Sequence, residues 1–161
     1  MALGKITPFF KNEFRECQMG RADLKEELVK YFPKWGWKKS VEEFLEYWFA
    51  YGTELNVEVV RKVDELRARE VKCYLATDQE KYRAKYLLEM VGLGEHFDGS
   101  FFSYDLGFSK SQKKFFKKIA QILEVKPEEM AFYDDEQENV RAAREAGVKA
   151  KLFEKLESIT T

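Results

Sequence analysis

The sequence predicts an α/β fold: a Rossmann-like parallel sheet with crossover helices, preceded by a small helical subdomain. Three observations predict it. Residues 1–54 carry apolar side chains at helical spacing and little that reads as strand. Residues 55–161 alternate short apolar runs with amphipathic stretches, the pattern of parallel strands joined by crossover helices. The chain has 161 residues, 45% of them apolar, which suits one domain with a sizeable core. The expected division is a helical subdomain at 1–54 and an α/β core at 55–161.

The helical part contains PFFKNEFRECQ, ADLKEELVKYF and SVEEFLEYWFAYG. Ser40 followed by Glu43 is a capping-box pattern. Pro33 and Gly36 predict the break between the second and third helices. In NVEVVRKVDELRARE, Val59, Val63 and Leu66 mark one helical face. VKCYLA (71–76) reads as a buried strand, and a helix rich in Lys, Tyr and Leu follows it to Val91, closed by Gly92 and Gly94. GSFFSY (99–104) reads as a second strand, and Ser109 is in place to cap KSQKKFFKKIAQILE. Pro127 leads into MAFYDD (130–135), EQENVRAAREAG is helical with Gly147 just past its end, and VKAKLF (148–153) is the last strand.

Composition excludes several functions. The formal net charge of −1 gives no bulk attraction to nucleic acid or an anionic membrane. Lys113, Lys114, Lys117 and Lys118 form one basic stretch without a second, the pattern of a solvated helix face. No apolar run is long enough to span a bilayer, and no signal peptide is visible. A single histidine, His96, argues against a His-based triad or a multi-His zinc site. Cys17 and Cys73 lack metal-type spacing and read as free thiols, which predicts a cytoplasmic location. Trp35, Trp37 and Trp48 read as packing residues.

In open parallel sheets, ligands bind beyond the carboxyl ends of the strands. The first strand delivers Thr77 and Asp78 there, the second leads through Ser103 to Lys110, and the third delivers Asp134 and Asp135. A hydroxyl, an ammonium and a carboxylate pair are the parts of a Mg²⁺-phosphate site, with Asp135 supplying the hard oxygen and Asn139 one helical turn further on. The plainer reading makes Asp134-Asp135 a turn and helix cap, Thr77-Asp78 another cap, and Lys110 the start of the basic face.

LATDQ, GFSKSQKKFF and FYDDEQENVRAAREAG, in that order, resemble the second, third and fourth motifs of the haloacid dehalogenase-like (HAD) hydrolases, in the branch with an early helical cap. EKYRAKYLLEMVGLGEHFDGSFFSYDLG runs as that branch runs, and the resemblance covers residues 5 to 155 or so. It implies that Thr77 binds the phosphoryl group, that Lys110 steadies nucleophile and phosphate, and that Asp135 binds Mg²⁺ with Asp134 beside it and Asn139 in support. The family's usual Lys-Pro is Lys110-Ser111 here.

One departure is large. The family's first motif is an apolar strand ending in DxD, whose first Asp is the nucleophile and whose second is the general acid/base. Here the chain runs from MALGKIT directly into helices, and Glu13, Glu16 and Asp23 lie within helical patterns. Three explanations are ranked in this order: Met1 is an internal start, the chain is a non-catalytic relative, or a rearranged or partner-supplied strand fills the gap. The resemblance implies Mg²⁺-dependent hydrolysis of a small phosphorylated metabolite, by a scaffold without a visible nucleophile. The alternative is a non-catalytic binding or interaction module, whose uncovered apolar surface would favour a homodimer or strand exchange.

Overall fold

The computed structural model describes residues 3–159, with residues 3–5 described by their backbone alone. Helices α1 (Leu3–Lys11), α2 (Glu13–Gln18), α3 (Leu24–Trp35) and α4 (Val41–Tyr51) come first. Asn12 separates α1 from α2 where the sequence reads one helix. Asp23 caps α3 by accepting from the N–H groups of Lys25 and Glu26. Leu24, Leu28, Phe32 and Trp35 then form its buried stripe. Pro33 does not break this helix: it lies inside it, and the turn ends instead at Gly36, at φ 73°. Burial of Trp35 against Phe9, Phe32 and Phe44 outweighs the hydrogen bond that a proline forgoes. The Ser40–Glu43 capping box opens α4 with both of its hydrogen bonds present. Phe9, Leu28, Phe32, Trp35, Phe44 and Phe49 form the centre of an aromatic-rich cluster, with Trp37 and Trp48 packed against it.

Helix α5 (Val57–Ala68) buries Val60, Val63 and Leu66; Val59, expected on that face, is half-buried beside it. Then come β1 (Tyr74–Thr77), α6 (Lys81–Glu89), α7 (Leu93–His96), β2 (Gly99–Phe102), α8 (Ser103–Leu106), α9 (Lys113–Leu123), β3 (Ala131–Asp134), α10 (Gln137–Glu145) and β4 (Lys149–Leu152). The strands are shorter than the apolar runs that announce them. Cys73 lies outside β1 and is half-buried, so it is not a core-strand thiol. Ser109 does not cap α9. Its N–H donates to the Gln112 side chain, its hydroxyl pairs with that of Ser111, and Gln112 holds the cap position. Helix α9 buries Phe115, Phe116, Ile119 and Ala120, while Lys113, Lys114, Lys117 and Lys118 are exposed. In α10 the small residues Ala142 and Ala143 with Val140 let the helix sit close to the strands.

The strands pair in parallel, but as two separate pairs. β1 pairs with β2, Tyr74 opposite Gly99 and Thr77 opposite Phe102. β3 pairs with β4, Ala131 opposite Lys149 and Asp134 opposite Leu152. Among the described residues no strand precedes Tyr74. Both pairs share one core built on Phe101, Phe115, Phe116, Ile119, Val140, Ala143 and Ala150, with Tyr74, Ala76 and Phe132 packed against it.

Candidate functional site

Thr77 ends β1 and Asp134 ends β3, so parallel strands point both residues at one end of the molecule. Lys110 joins them. Its backbone N–H donates to the Asp78 carboxylate at 2.9 Å. Its ammonium donates to Oδ2 of Asp134 at 2.6 Å, and the two side chains are 16% and 5% exposed. This separates Lys110 from the solvated lysines of α9. Low exposure strengthens such a charge-assisted bond and makes losing either partner costly.

The other oxygen of Asp134 accepts from the Asn139 amide and the Glu136 N–H, each at 2.9 Å. Asn139, buried on the first turn of α10, therefore steers Asp134 directly. Asp135 is exposed, and no described group hydrogen-bonds its carboxylate. With Asp134, it borders a recess of about 200 Å³ shared with Val59, Tyr133, Phe153 and Ile159. The Thr77 hydroxyl also has no partner among the described residues. Neither aspartate occupies the helix-cap position, which Glu136 holds.

Asp78 is half-buried, and burial pushes its carboxyl above the ordinary range. The Lys110 N–H and charge oppose that shift, and the nearby Asp134 adds to it. Thr77-Asp78 does not cap α6 either. Glu80 does, accepting from the N–H groups of Tyr82 and Arg83 while 1% exposed.

Two contacts beside the site carried no local sequence signal. The Gln18 amide donates to the Asp78 carbonyl at 3.2 Å across sixty positions of chain. Ser103, fully buried, donates to the Gln79 carbonyl at 3.3 Å. Both hold the loop after β1, and contacts between distant segments leave no periodicity to read. A cleft of about 320 Å³ opens beside this loop, bordered by Cys17, Arg21 and Asp23 on the helical side and Glu80, Lys81 and Tyr104 on the other. Burial pushes the Cys17 thiol up to about 12, so it stays protonated there. His96 pairs with Asp64 at 3.0 Å, and neither lines the cleft nor the recess.

Comparison with known proteins identifies the fold and the family. The chain is similar to a HAD family enzyme of Bacteroides thetaiotaomicron solved as a magnesium complex: TM-score 0.78, 18% identity, 91% of this chain and 77% of that one. It is also similar to a predicted HAD-like family hydrolase of Porphyromonas gingivalis, with TM-score 0.74, 18% identity, and 93% and 80% of the two chains. A third similar structure is L-2-haloacid dehalogenase of Xanthobacter autotrophicus with chloropropionic acid covalently bound, with TM-score 0.64, 18% identity, and 91% and 61% of the two chains. At such identities these likenesses establish the fold. Residues 6–147 match the family model described as haloacid dehalogenase-like hydrolase. The chain belongs to the haloacid dehalogenase-like hydrolases, and its described residues lack the strand that carries the family's first motif.

Proposed function

We propose that this chain is the phosphate- and Mg²⁺-binding body of a phosphohydrolase for a small phosphorylated molecule. The observation that carries this reading is the ion pair of Lys110, from the loop before α9, with Asp134 at the end of β3, next to Asp135, while the Lys110 N–H holds Asp78, next to Thr77 at the end of β1. Lys110 would attract a phosphoryl oxygen and Thr77 would donate to it, while Asp134 and Asn139 hold the ammonium in place. Asp135 suits Mg²⁺ because it is an exposed, unpartnered carboxylate beside a second one. Among the described residues no group of three or more His, Cys, Asp or Glu side chains gathers as a metal cage. Mg²⁺ does not require one, since it keeps waters and substrate oxygens in its shell. When bound, the ion supplies positive charge against the phosphoryl oxygens. A similar B. thetaiotaomicron structure is a complex with magnesium and inorganic phosphate, which supports this choice over dehalogenation.

Residues 1–54 would act as the cap, shaping the substrate cleft and limiting water. Two free thiols suit a cytoplasmic setting, and among the described residues no helix is long and apolar enough to cross a membrane. The second reading is a non-catalytic binding module. The specific observation favouring it is that, among the described residues, no strand precedes β1 to carry the family's first motif.

Aryl phosphate hydrolysis, with Mg²⁺ or chelator, separates the readings when Mg²⁺ and phosphate binding are measured calorimetrically beside it. Turnover that Lys110→Ala and Asp135→Ala both abolish supports the phosphohydrolase. Binding of Mg²⁺ and phosphate without turnover supports the module. Absence of both binding and turnover overturns both.

A further inference from the structure

We propose that the exposed face of α9 docks on a second copy of this chain, against the segment that runs from α4 to the start of α5. The two segments are where the charge of the chain separates. Residues 41–60 hold five glutamates and no lysine or arginine, and residues 106–123 hold five lysines and no acidic residue. The whole chain carries a net charge of −1, so no bulk repulsion keeps copies apart.

Elsewhere on the helices lysines are neutralised at short range. Lys30, Lys39, Lys62 and Lys85 each pair with a glutamate three or four positions away. Helix α9 does the reverse. Lys113 and Lys114 stand in its first turn, where the helix dipole disfavours cations, and Lys117 and Lys118 follow each of them by four residues. All four are exposed, and among the described residues none is in an ion pair, although Lys114 lies over the Phe108 ring at 5.5 Å. Both arrangements work against the helix, and an external anion relieves both. The row of Lys114 and Lys118 continues to Ile122, which is 49% exposed, and Val125 is exposed just beyond the helix.

The acidic segment is mixed in the same way. Lys25 and Lys39 neutralise Glu42 and Glu43, while Glu46, Glu54 and Glu58 are exposed and, among the described residues, in no ion pair. Between them Tyr47 and Tyr51 lie ring to ring at 5.7 Å, with Tyr51 83% exposed, and Val57 is exposed as well. Apolar groups on both sides gain from burial, and the lysine stems extend the apolar area. Among the described residues no ion pair joins the two segments within one molecule, which leaves them to meet between molecules. A nucleic acid fits the α9 face less well. Among the described residues no arginine and no exposed aromatic ring stands with the lysines between 106 and 126 to stack on bases.

Each face is about three helical turns long and one helix wide, below the roughly 800 Å² per partner of a standard interface. The contact is therefore weak and salt-sensitive. Because it joins unlike faces, copies add on as a chain or close as a ring of two or more.

The test is sedimentation velocity on the full chain over a range of about 10 to 500 μM. The sedimentation coefficient is expected to rise with concentration at about 50 mM salt and to lose that rise at about 500 mM. Two charge-reversed variants decide where the contact lies. One combines Lys114→Glu, Lys117→Glu and Lys118→Glu, and the other combines Glu46→Lys, Glu54→Lys and Glu58→Lys. Each alone is expected to stay monomeric, and an equimolar mixture to associate again, because the reversed faces complement each other. Circular dichroism is expected to match the parent for both, since every substitution is on an exposed residue. A parent chain that stays monomeric at low salt overturns the proposal; if it then binds phosphatidylserine vesicles or RNA, the α9 face belongs to that partner. Association that persists in both variants, or a mixture that stays monomeric, also overturns it. Thr77, Lys110 and Asp135 are unchanged throughout, so the result is read separately from the proposed function.

Discussion

Asp134 and Asp135 are adjacent in sequence and opposite in circumstance. Asp134 is saturated by the Lys110 ammonium, the Asn139 amide and the Glu136 N–H, while Asp135 faces solvent. Asp134→Ala strands a largely buried ammonium, and urea unfolding is expected to show a loss of about 2–4 kcal/mol. Asp135→Ala is expected to stay within about 0.5 kcal/mol of the parent in the same experiment, while Mg²⁺ affinity drops. Glu80 gives a pH signature. Burial pushes its carboxyl above the ordinary 4.5, against the pull of the Tyr82 and Arg83 N–H groups. Above 4.5 the unfolded chain has released this proton while the folded chain still holds it. The stability that Glu80 contributes is therefore full below that value and lost as pH rises through the raised folded pKa. Glu80→Gln keeps an acceptor for the helix N–H groups and removes the ionisation. It is expected to flatten that decline and to exceed the parent in stability near neutral pH, read from urea unfolding across a pH series.

At the scale of elements, junctions matter more than interiors. The Ser40 hydroxyl accepts from the Glu43 N–H at 3.1 Å, and Ser40→Ala is expected to cost about 1 kcal/mol by thermal unfolding. Gly20, at φ 70° between α2 and α3, lies against the carbonyl of Tyr104 in α8, where a Cβ would overlap the oxygen. Gly20→Ala is expected to cost about 1–3 kcal/mol, because it strains the backbone and pushes the helical cluster off the loop next to the cleft. A tryptophan fluorescence change at the native baseline would accompany that shift.

At the scale of the molecule, the two hydrophobic clusters are tied together by a few polar contacts centred on α6. The Arg83 guanidinium donates to the Phe49 carbonyl at 3.0 Å and the Gly52 carbonyl at 2.7 Å, and stacks over the Phe49 and Tyr86 rings. The Tyr82 hydroxyl and the Lys81 ammonium both donate to Asp23, and Gln18 reaches Asp78. All three tryptophans lie in the helical cluster, so fluorescence reports on that part alone. Arg83→Ala is expected to separate the unfolding transitions, with tryptophan fluorescence changing at lower urea than far-ultraviolet circular dichroism. Coincident transitions in that variant would show that the clusters remain one cooperative unit without the arginine.

Periodicity alone was enough to read that the first part is helical, the alternation of strand and helix in the second, and the exposed lysine face of α9, because those features depend on neighbours in sequence. The residues at or just past strand ends, Thr77, Asp78, Asp134 and Asp135, were also legible, since a parallel sheet sends successive strand ends to one side, and Lys110 was reached along the segment that leads on from β2. Tertiary structure decided which of them meet. It paired Lys110 with Asp134, left Asp135 open, gave the α6 cap to Glu80 and brought Gln18 across sixty positions to Asp78. It also carried α3 through Pro33, because burial of Trp35 is a whole-core term that no local propensity contains. The same holds for the divided sheet. Each strand is specified by its own few residues, but which strands pair is decided by how distant segments pack.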